Sequence, residues 1–191
     1  MIVKKDRLDS AVKTLNEENL IIYPTDTLYG LGADATNTSA IKKINEIKNR
    51  NTPLSIMISD IKNIEKYAEY DSNTMKQIEK ILPGPFTILL KAKKSNLSYL
   101  VQNDSEKIGI RIPNHKFCLQ LLKKYKKPII TTSVNTHGTK SLNNIEEIER
   151  FFLNINIYKG KVNKKSKGST IIDFTKIKPE ILRQGDGKFT A

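Results

Sequence analysis

The chain has 191 residues, 38% of them hydrophobic and 28% charged, so it can bury one substantial core and has an ordinary globular composition. Its 33 Lys and Arg residues outnumber 20 Asp and Glu, and the net charge of +13 favours a polyanionic partner, either nucleic acid or a phosphorylated ligand. One cysteine excludes an internal disulfide, and with only two histidines the sequence has no zinc-ligand spacing.

The N-terminal region alternates charged and single apolar residues and has no run as long as a signal peptide or a membrane span. We therefore expect a cytoplasmic protein with no membrane segment and one domain over residues 1–191. Cys118 lies among apolar residues at helical spacing, which predicts a buried structural thiol rather than a nucleophile.

The predicted elements of the N-terminal part begin with a helix over residues 8–15 and a buried strand over 20–23. Residues 25–32 contain two threonines, one aspartate and two glycines, and we expect them to form a ligand-facing loop. Thr38 or Ser39 is expected to cap the next helix, whose isoleucines recur at three-residue intervals.

The remaining elements alternate between strands and helices. Strands are expected at residues 54–58, 86–90, 108–112, 128–134, 169–174 and 180–183, and helices around 64–67, 75–81, 117–125 and 145–152. Asn114 is expected to cap the third of these helices. The alternation predicts an α/β domain, and two successive strands without a clear helix between them favour a mixed sheet.

Polar residues cluster where predicted strands or helices end, which is where ligands bind in open α/β sheets. They are residues 25–27 and 48–50, Arg111, residues 131–135, Ser141, Ser169 with Thr170, and Arg183. Each segment taken singly also fits a cap or a turn. The sequence has no phosphate-binding P-loop, no dinucleotide fingerprint and no nucleophile elbow, so a hydrolase triad is disfavoured.

Only five arginines occur among the 33 basic residues, so each arginine is informative. A guanidinium binds carboxylate or phosphate through two parallel hydrogen bonds, which an ammonium cannot do. Arg50, Arg111 and Arg183 lie in the polar segments, whereas Arg7 and Arg150 lie in predicted helices and are expected to face solvent.

Six blocks resemble the YrdC-like family in order and spacing over nearly the whole chain. They are YPTDTLYGLG at 23–32, KNR at 48–50, PGPFT at 83–87, IRIP at 110–113, SVNTHG at 133–138, and STIID at 169–173 with LRQG at 182–185. The resemblance implies a YrdC-like fold: a twisted, mixed or largely antiparallel sheet with flanking helices and a basic concave face.

The resemblance also implies a nucleotidyltransferase that condenses L-threonine, bicarbonate and ATP to threonylcarbamoyl-AMP and pyrophosphate. The product would supply downstream threonylcarbamoyl-transferase proteins that modify tRNA next to the anticodon. ATP would be a substrate, accompanied by Mg²⁺, and no protein metal ligand is implied. Direct contact with tRNA or double-stranded RNA is a further expectation.

The family's functional residues fall on ten positions of this sequence. The resemblance implies that the nucleotide and its phosphates contact Lys48, Arg50, Ser133, Asn135, Ser141 and Arg183, and that threonine or its carbamate contacts Thr27, Arg111, Thr131 and Ser169. Lys48 and Arg50 would act electrostatically, since positioning and charge neutralisation suffice for attack on phosphorus without a protein nucleophile.

The sequence departs from the family pattern at three places. Only Asn51 and Thr52 separate Arg50 from the next proline, and Met57 and Lys107 replace a histidine and a threonine of some members. No ligand role is assigned to Met57 or Lys107.

Two alternatives stay open. The chain could be a non-catalytic RNA-binding relative that uses the same basic surface, which the intact KNR and SVN segments disfavour. It could instead be a carbamoyl transferase like the family's hydrogenase-maturation relatives, in which this domain is part of a longer chain, and the chain length disfavours that.

Overall fold

The computed structural model describes residues 1–3, 7–49, 51–136 and 138–190, so Arg50 lies outside the described residues. Ten strands are formed by Ile21–Pro24 (β1), Tyr29–Gly32 (β2), Ser55–Met57 (β3), Ala68–Glu69 (β4), Phe86–Ala92 (β5), Lys107–Arg111 (β6), Ile129–Ser133 (β7), Asn156–Ile157 (β8), Thr170–Asp173 (β9) and Glu180–Arg183 (β10). Six α-helices are formed by Arg7–Asn16 (α1), Thr38–Lys48 (α2), Ser72–Ile78 (α3), Tyr99–Gln102 (α4), Lys116–Tyr125 (α5) and Ile145–Phe151 (α6). A 3₁₀ helix spans Ile61–Lys66.

The strands form one mixed sheet in the order β10-β9-β5-β6-β3-β7-β2-β1-β8, with β4 added to β5. The pairs β3 with β6, β5 with β9 and β1 with β8 are parallel, and the remaining pairs are antiparallel. The predicted mixed sheet is therefore confirmed. Arg183 and Arg111, the last residues of β10 and β6, lie near the same edge of the sheet. Strand β7 runs antiparallel to β6, so its last residue, Ser133, lies towards the other edge, but Thr131 and Ser133 share with Arg111 one face of the sheet.

The central strands are buried on both faces, as their continuous apolar runs require. On one face Tyr23, Met57 and Ile129 pack with the helix pair α1 and α5. On the other face the next residues along the strands, such as Ile56 and Ile130, pack with α2 and α4. This alternation follows from the two-residue period of a strand, and it holds the sheet rigid between two helical layers.

The helix caps differ from two of the predictions. The side chain of Asn37, not of Thr38 or Ser39, caps α2 by accepting the Ala40 N–H at 2.8 Å. The predicted Asn114 cap of α5 is also wrong, because His115 occupies the cap position without a side-chain bond.

Three further predictions are corrected by packing that the local sequence does not encode. Residues 25–32 form a loop only as far as Leu28, since Tyr29–Gly32 pairs with β1 as strand β2. A short helix, α4, lies between β5 and β6. Arg7 does not face solvent: its guanidinium lies 5.1 Å from the ring centre of Phe117, and its Nε is buried. Arg150 is exposed as predicted.

None of the helices in the described part of the chain is long and apolar enough to cross a membrane.

Candidate active site

One cavity of about 490 Å³ opens where β6, β7, β9 and β10 meet the end of α2 and the loop after β1. Nine of the ten residues predicted from the family resemblance line it: Thr27, Lys48, Arg111, Thr131, Ser133, Ser141, Ser169, Arg183 and Asn135. The tenth, Arg50, lies outside the described residues. Residues spread over more than 150 positions of sequence are thus brought to one surface.

Lys48 forms one wall of the cavity. It is the last residue of α2, and the left-handed Asn49 (φ 46°) ends the helix immediately after it. Although only 2% of Lys48 is exposed, its ammonium donates to the backbone carbonyl of Ser133 at 2.9 Å and to the side-chain oxygen of Asn135. A buried ammonium needs such acceptors, so these contacts fix its charge at the cavity wall.

Arg111, the last residue of β6, forms the opposite charged wall. Its Nη2 donates to the carboxylate of Asp26 at 2.8 Å and to the hydroxyl of Thr27 at 3.2 Å. The other carboxylate oxygen of Asp26 accepts the backbone N–H of Asn114 at 3.0 Å. Arg111 is 8% exposed, and its buried Nε has no acceptor among the described residues.

The third group joins β5, β9 and β10 through the hydroxyl of Ser169. Arg183 donates to the Ser169 carbonyl through Nε at 3.1 Å and Nη2 at 2.7 Å, and to the Ser169 hydroxyl at 3.1 Å. The Ser169 hydroxyl also lies 2.7 Å from the buried hydroxyl of Thr87. If Thr87 donates in this contact, the Ser169 hydrogen is free for an anionic ligand.

The hydroxyls of Thr27 and Ser133 are already engaged as donors. Thr25 gives its hydroxyl hydrogen to the Leu28 carbonyl at 2.6 Å, so Thr27 is the donor in the 3.1 Å contact between the two threonines. Ser133 donates to the Asn135 side chain at 2.8 Å. In this arrangement neither hydroxyl offers a ligand its hydrogen, and the Thr27 hydroxyl, which accepts from Arg111, offers one lone pair.

The cavity carries positive charge that its own walls do not neutralise. Lys48, Arg111, Lys167 and Arg183 line it, and none of its described lining residues is Asp or Glu. Burial first, and then the neighbouring Arg111 charge, lower the pKa of the Arg183 guanidinium. Such a site is suited to ligands with several negative charges.

The residue types of the cavity lining also decide whether the protein itself could hold Mg²⁺. Proteins hold Mg²⁺ through one or two carboxylates together with substrate phosphates. The described cavity walls supply hydroxyl and carbonyl oxygens but no carboxylate. The residues therefore do not fit a resident Mg²⁺ site.

Two contributors to the site received no role from the sequence. Thr87 belongs to the PGPFT block, but only the sheet order reveals that it contacts Ser169. Lys167 lies in a stretch without any motif, and nothing in the sequence separates it from the many other lysines.

Three residues without an assigned ligand role lie away from the cavity lining. Met57 is fully buried in the core, and Lys107 pairs with Asp173 at 2.6 Å. Cys118 is fully buried and donates to the Pro24 carbonyl at 3.1 Å. Burial raises the pKa of the Cys118 thiol, which confirms the structural role predicted for it.

The sequence and the fold both resemble those of known proteins. Residues 13–185 match the Sua5/YciO/YrdC family model, which carries the description "Telomere recombination". A protein of Methanocaldococcus jannaschii is 39% identical over 95% of this chain and 87% of its own length. The threonylcarbamoyl-AMP synthase of Psychromonas ingrahamii is 32% identical over 80% of this chain and 82% of its own length.

Among solved structures, Pyrococcus abyssi Sua5 complexed with L-threonine superimposes with a TM-score of 0.85 and 27% identity. The alignment covers 97% of this chain, which spans 56% of the length of that Sua5 chain. The matched family model and the M. jannaschii relative both extend over nearly all of the sequence, and the sheet that carries the cavity has the same fold as Sua5. The chain therefore belongs to the Sua5/YciO/YrdC family.

Proposed function

We propose that this protein is an L-threonylcarbamoyladenylate synthase that condenses L-threonine, bicarbonate and ATP to threonylcarbamoyl-AMP and pyrophosphate. One observation carries the proposal: nine of the ten residues that the family resemblance assigns to the reaction line a single cationic cavity. The name of the P. ingrahamii relative and the L-threonine bound by the Sua5 structure support the same reaction.

The nucleotide side of the site is assigned to Lys48, Ser133, Asn135, Ser141 and Arg183. The ammonium of Lys48 and the guanidinium of Arg183 offset the charge of the phosphates, and charge-assisted hydrogen bonds to phosphate are the strong ones. Because Ser133 and Asn135 hold the Lys48 ammonium in a fixed place, its charge needs little reorganisation when pyrophosphate leaves.

The threonine side is assigned to Thr27, Arg111, Thr131 and Ser169. The guanidinium of Arg111, which lines the cavity, is assigned to the threonine carboxylate. The remaining lone pair of the Thr27 hydroxyl suits the threonine ammonium or hydroxyl, which are donors. The Ser169 hydroxyl is assigned to an anionic oxygen of the carbamate.

The reaction needs no protein nucleophile. Bicarbonate supplies carbon dioxide and hydroxide. The neutral amine of threonine adds to the carbon dioxide and forms a carbamate, and the proton that the amine loses combines with the hydroxide as water. A carbamate oxygen then attacks the α-phosphorus of ATP. The bond from that phosphorus to the β-phosphate bridging oxygen breaks, and pyrophosphate departs. The protein contributes proximity and positive charge, which are the main terms in phosphoryl and nucleotidyl transfer. Mg²⁺ would arrive bound to the phosphates of ATP.

In the cell, this activity would serve tRNA modification through downstream threonylcarbamoyl-transferase proteins, in the cytoplasm. The proposal treats residues 1–191 as one catalytic domain. The net charge of +13 also favours direct contact with tRNA, which a non-catalytic RNA-binding relative would share.

The test is pyrophosphate release by the purified protein with ATP, threonine and bicarbonate, with each substrate omitted in turn. Release that requires both threonine and bicarbonate supports the synthase. ATP turnover that does not depend on threonine would reject the synthase assignment. Binding of tRNA without any turnover would also reject it and would favour the RNA-binding alternative.

A further inference from the structure

Asp26 lies in the loop after β1, next to Thr27, and contacts Arg111 at the end of β6. Thr27 and Arg111 are both assigned to threonine, but Asp26 itself does not line the cavity. One carboxylate oxygen accepts from Arg111 at 2.8 Å and the other accepts the backbone N–H of Asn114 at 3.0 Å. The side chains of Asp26 and Arg111 are only 9% and 10% exposed. This is a buried ion pair with both carboxylate oxygens engaged.

The ion pair holds the Arg111 guanidinium through one nitrogen, Nη2. Asp26 and Thr27 both receive hydrogen bonds from the Nη2 of Arg111, whereas the buried Nε has no acceptor among the described residues. Other buried polar atoms among the described residues, such as the Nε of Arg7, also lack a partner, so the buried Nε of Arg111 does not by itself mark a ligand contact. The ion pair instead holds the guanidinium of Arg111 in one place at the cavity wall.

Two opposing effects of Asp26 on an anionic ligand can be separated. As a negative charge beside Arg111, Asp26 weakens the attraction of the guanidinium for a second carboxylate. As a fixed acceptor, it holds the guanidinium in one orientation and so removes the entropic cost of ordering a long side chain when the ligand binds. The double anchorage of Asp26, to Arg111 and to the Asn114 backbone, favours the second effect.

We infer that Asp26 is a positioning residue, which orients the guanidinium of Arg111 to receive the threonine carboxylate. The inference rests on the proposed function and deepens it, because it assigns part of the threonine affinity to a residue that does not touch substrate. Asp26 acts on threonine binding and not on the nucleotide, whose assigned contacts lie on Lys48 and Arg183.

The experiment compares wild type with Asp26→Asn, measuring KM for threonine, KM for ATP and kcat. The amide keeps the shape but cannot accept from both Arg111 and the Asn114 N–H. Loss of one charge-assisted, oriented contact is expected to raise KM for threonine about tenfold to hundredfold, with KM for ATP unchanged. A threonine KM equal to or below the wild-type value would overturn the inference, because the charge of Asp26 would then outweigh its positioning.

Asp34→Asn is the matched control. Asp34 is another buried carboxylate that pairs with a lysine, Lys127, at 2.8 Å, but it is absent from the cavity lining. Its variant is expected to lose stability and keep the threonine KM. If the control raises that KM as much as Asp26→Asn does, the effect is one of general stability and the inference fails.

A second variant covers the case in which Asp26→Asn does not fold. Asp26→Glu keeps the charge but displaces the carboxylate, and a severalfold rise in threonine KM at constant ATP KM is expected. An unchanged threonine KM in this variant counts against positioning. Absence of threonine-dependent turnover in the wild type refutes the proposed function, whereas an active wild type with unaffected variants refutes only the role of Asp26.

Discussion

The ammonium of Lys48 donates a 2.9 Å hydrogen bond to the backbone carbonyl of Ser133, which joins the last residue of α2 to the last residue of β7. The two residues are 85 positions apart in sequence. This bond places a buried positive charge at the end of a central strand. The cavity's affinity for phosphate is therefore expected to depend on this contact.

Replacing Lys48 with methionine removes the ammonium and its charge while keeping an unbranched side chain that is one atom shorter. We expect kcat/KM for ATP to fall about a hundredfold or more, as for loss of a preorganised charge-stabilising donor. Lys43→Met is the control, because Lys43 lies on the same helix but donates to the Glu18 carbonyl at an exposed position. Equal kinetics in the two variants would contradict the assigned role of Lys48.

Replacing Ser169 with alanine removes the hydroxyl that links Thr87 to Arg183. The buried Thr87 hydroxyl loses its partner, so unfolding free energy is expected to fall by about 1–3 kcal/mol, measured by urea denaturation. KM for threonine is expected to rise as well. Ser59→Ala, a change at a residue that does not line the cavity, should alter neither quantity. A Ser169→Ala variant with wild-type stability and kinetics would refute both the structural link and the ligand contact assigned to Ser169.

Acid stability is expected to depend on Asp34. Burial alone would raise the pKa of Asp34, but hydrogen bonds from Lys127 and Tyr125 outweigh burial and hold the pKa below its usual value of 3.8. Because the pKa is lower in the folded state, the stabilisation is present above about pH 5 and is lost as the pH falls through the folded pKa.

Asp34→Asn is accordingly expected to lower unfolding free energy by roughly 1–3 kcal/mol at pH 7, with the gap to wild type narrowing below about pH 4. Asp9→Asn, which removes an exposed ion pair with Lys124, should have little effect at either pH. A gap for Asp34→Asn that stays constant down to pH 2 would show that the carboxylate charge contributes nothing.

Arg50→Lys tests a prediction that comes from the sequence alone. A lysine keeps the charge but cannot make two parallel hydrogen bonds to a phosphate, so a drop of roughly tenfold in kcat/KM is expected. Arg150→Lys is the control, since Arg150 is exposed on α6. Unchanged kinetics for Arg50→Lys would refute a forked phosphate contact.

Much of the fold could be predicted because apolar periodicity is local. The strand at Glu180–Arg183 begins and ends where the sequence indicates, and the mixed sheet follows from two successive strands. The sequence does not predict β2 or the two-residue strands β4 and β8, since none of the three has a pattern of its own. Strands β2 and β8 exist because they pair with β1, and β4 because it pairs with β5, and pairing partners are set by tertiary packing.

The candidate site, like the fold, could be predicted only in part from the sequence. The residue types at strand ends indicated anion binding, and the family resemblance supplied their roles. The contacts that orient them could not be predicted, because the bond from Arg111 to Asp26 and the contact of Ser169 with Thr87 join segments more than 80 residues apart. Local contacts with Thr25 and Asn135 show in addition that Thr27 and Ser133 already use their hydroxyl hydrogens, which residue type alone does not reveal.

The most direct measurement is a double-label experiment on the product, using radiolabelled bicarbonate together with ATP labelled at the α-phosphate. If the cavity joins a threonine carbamate to the α-phosphate, both labels will appear in equal amounts in one threonine-dependent compound, and Lys48→Met will reduce its yield. Labelled AMP or ADP without the bicarbonate carbon, formed equally well without threonine, would contradict the account.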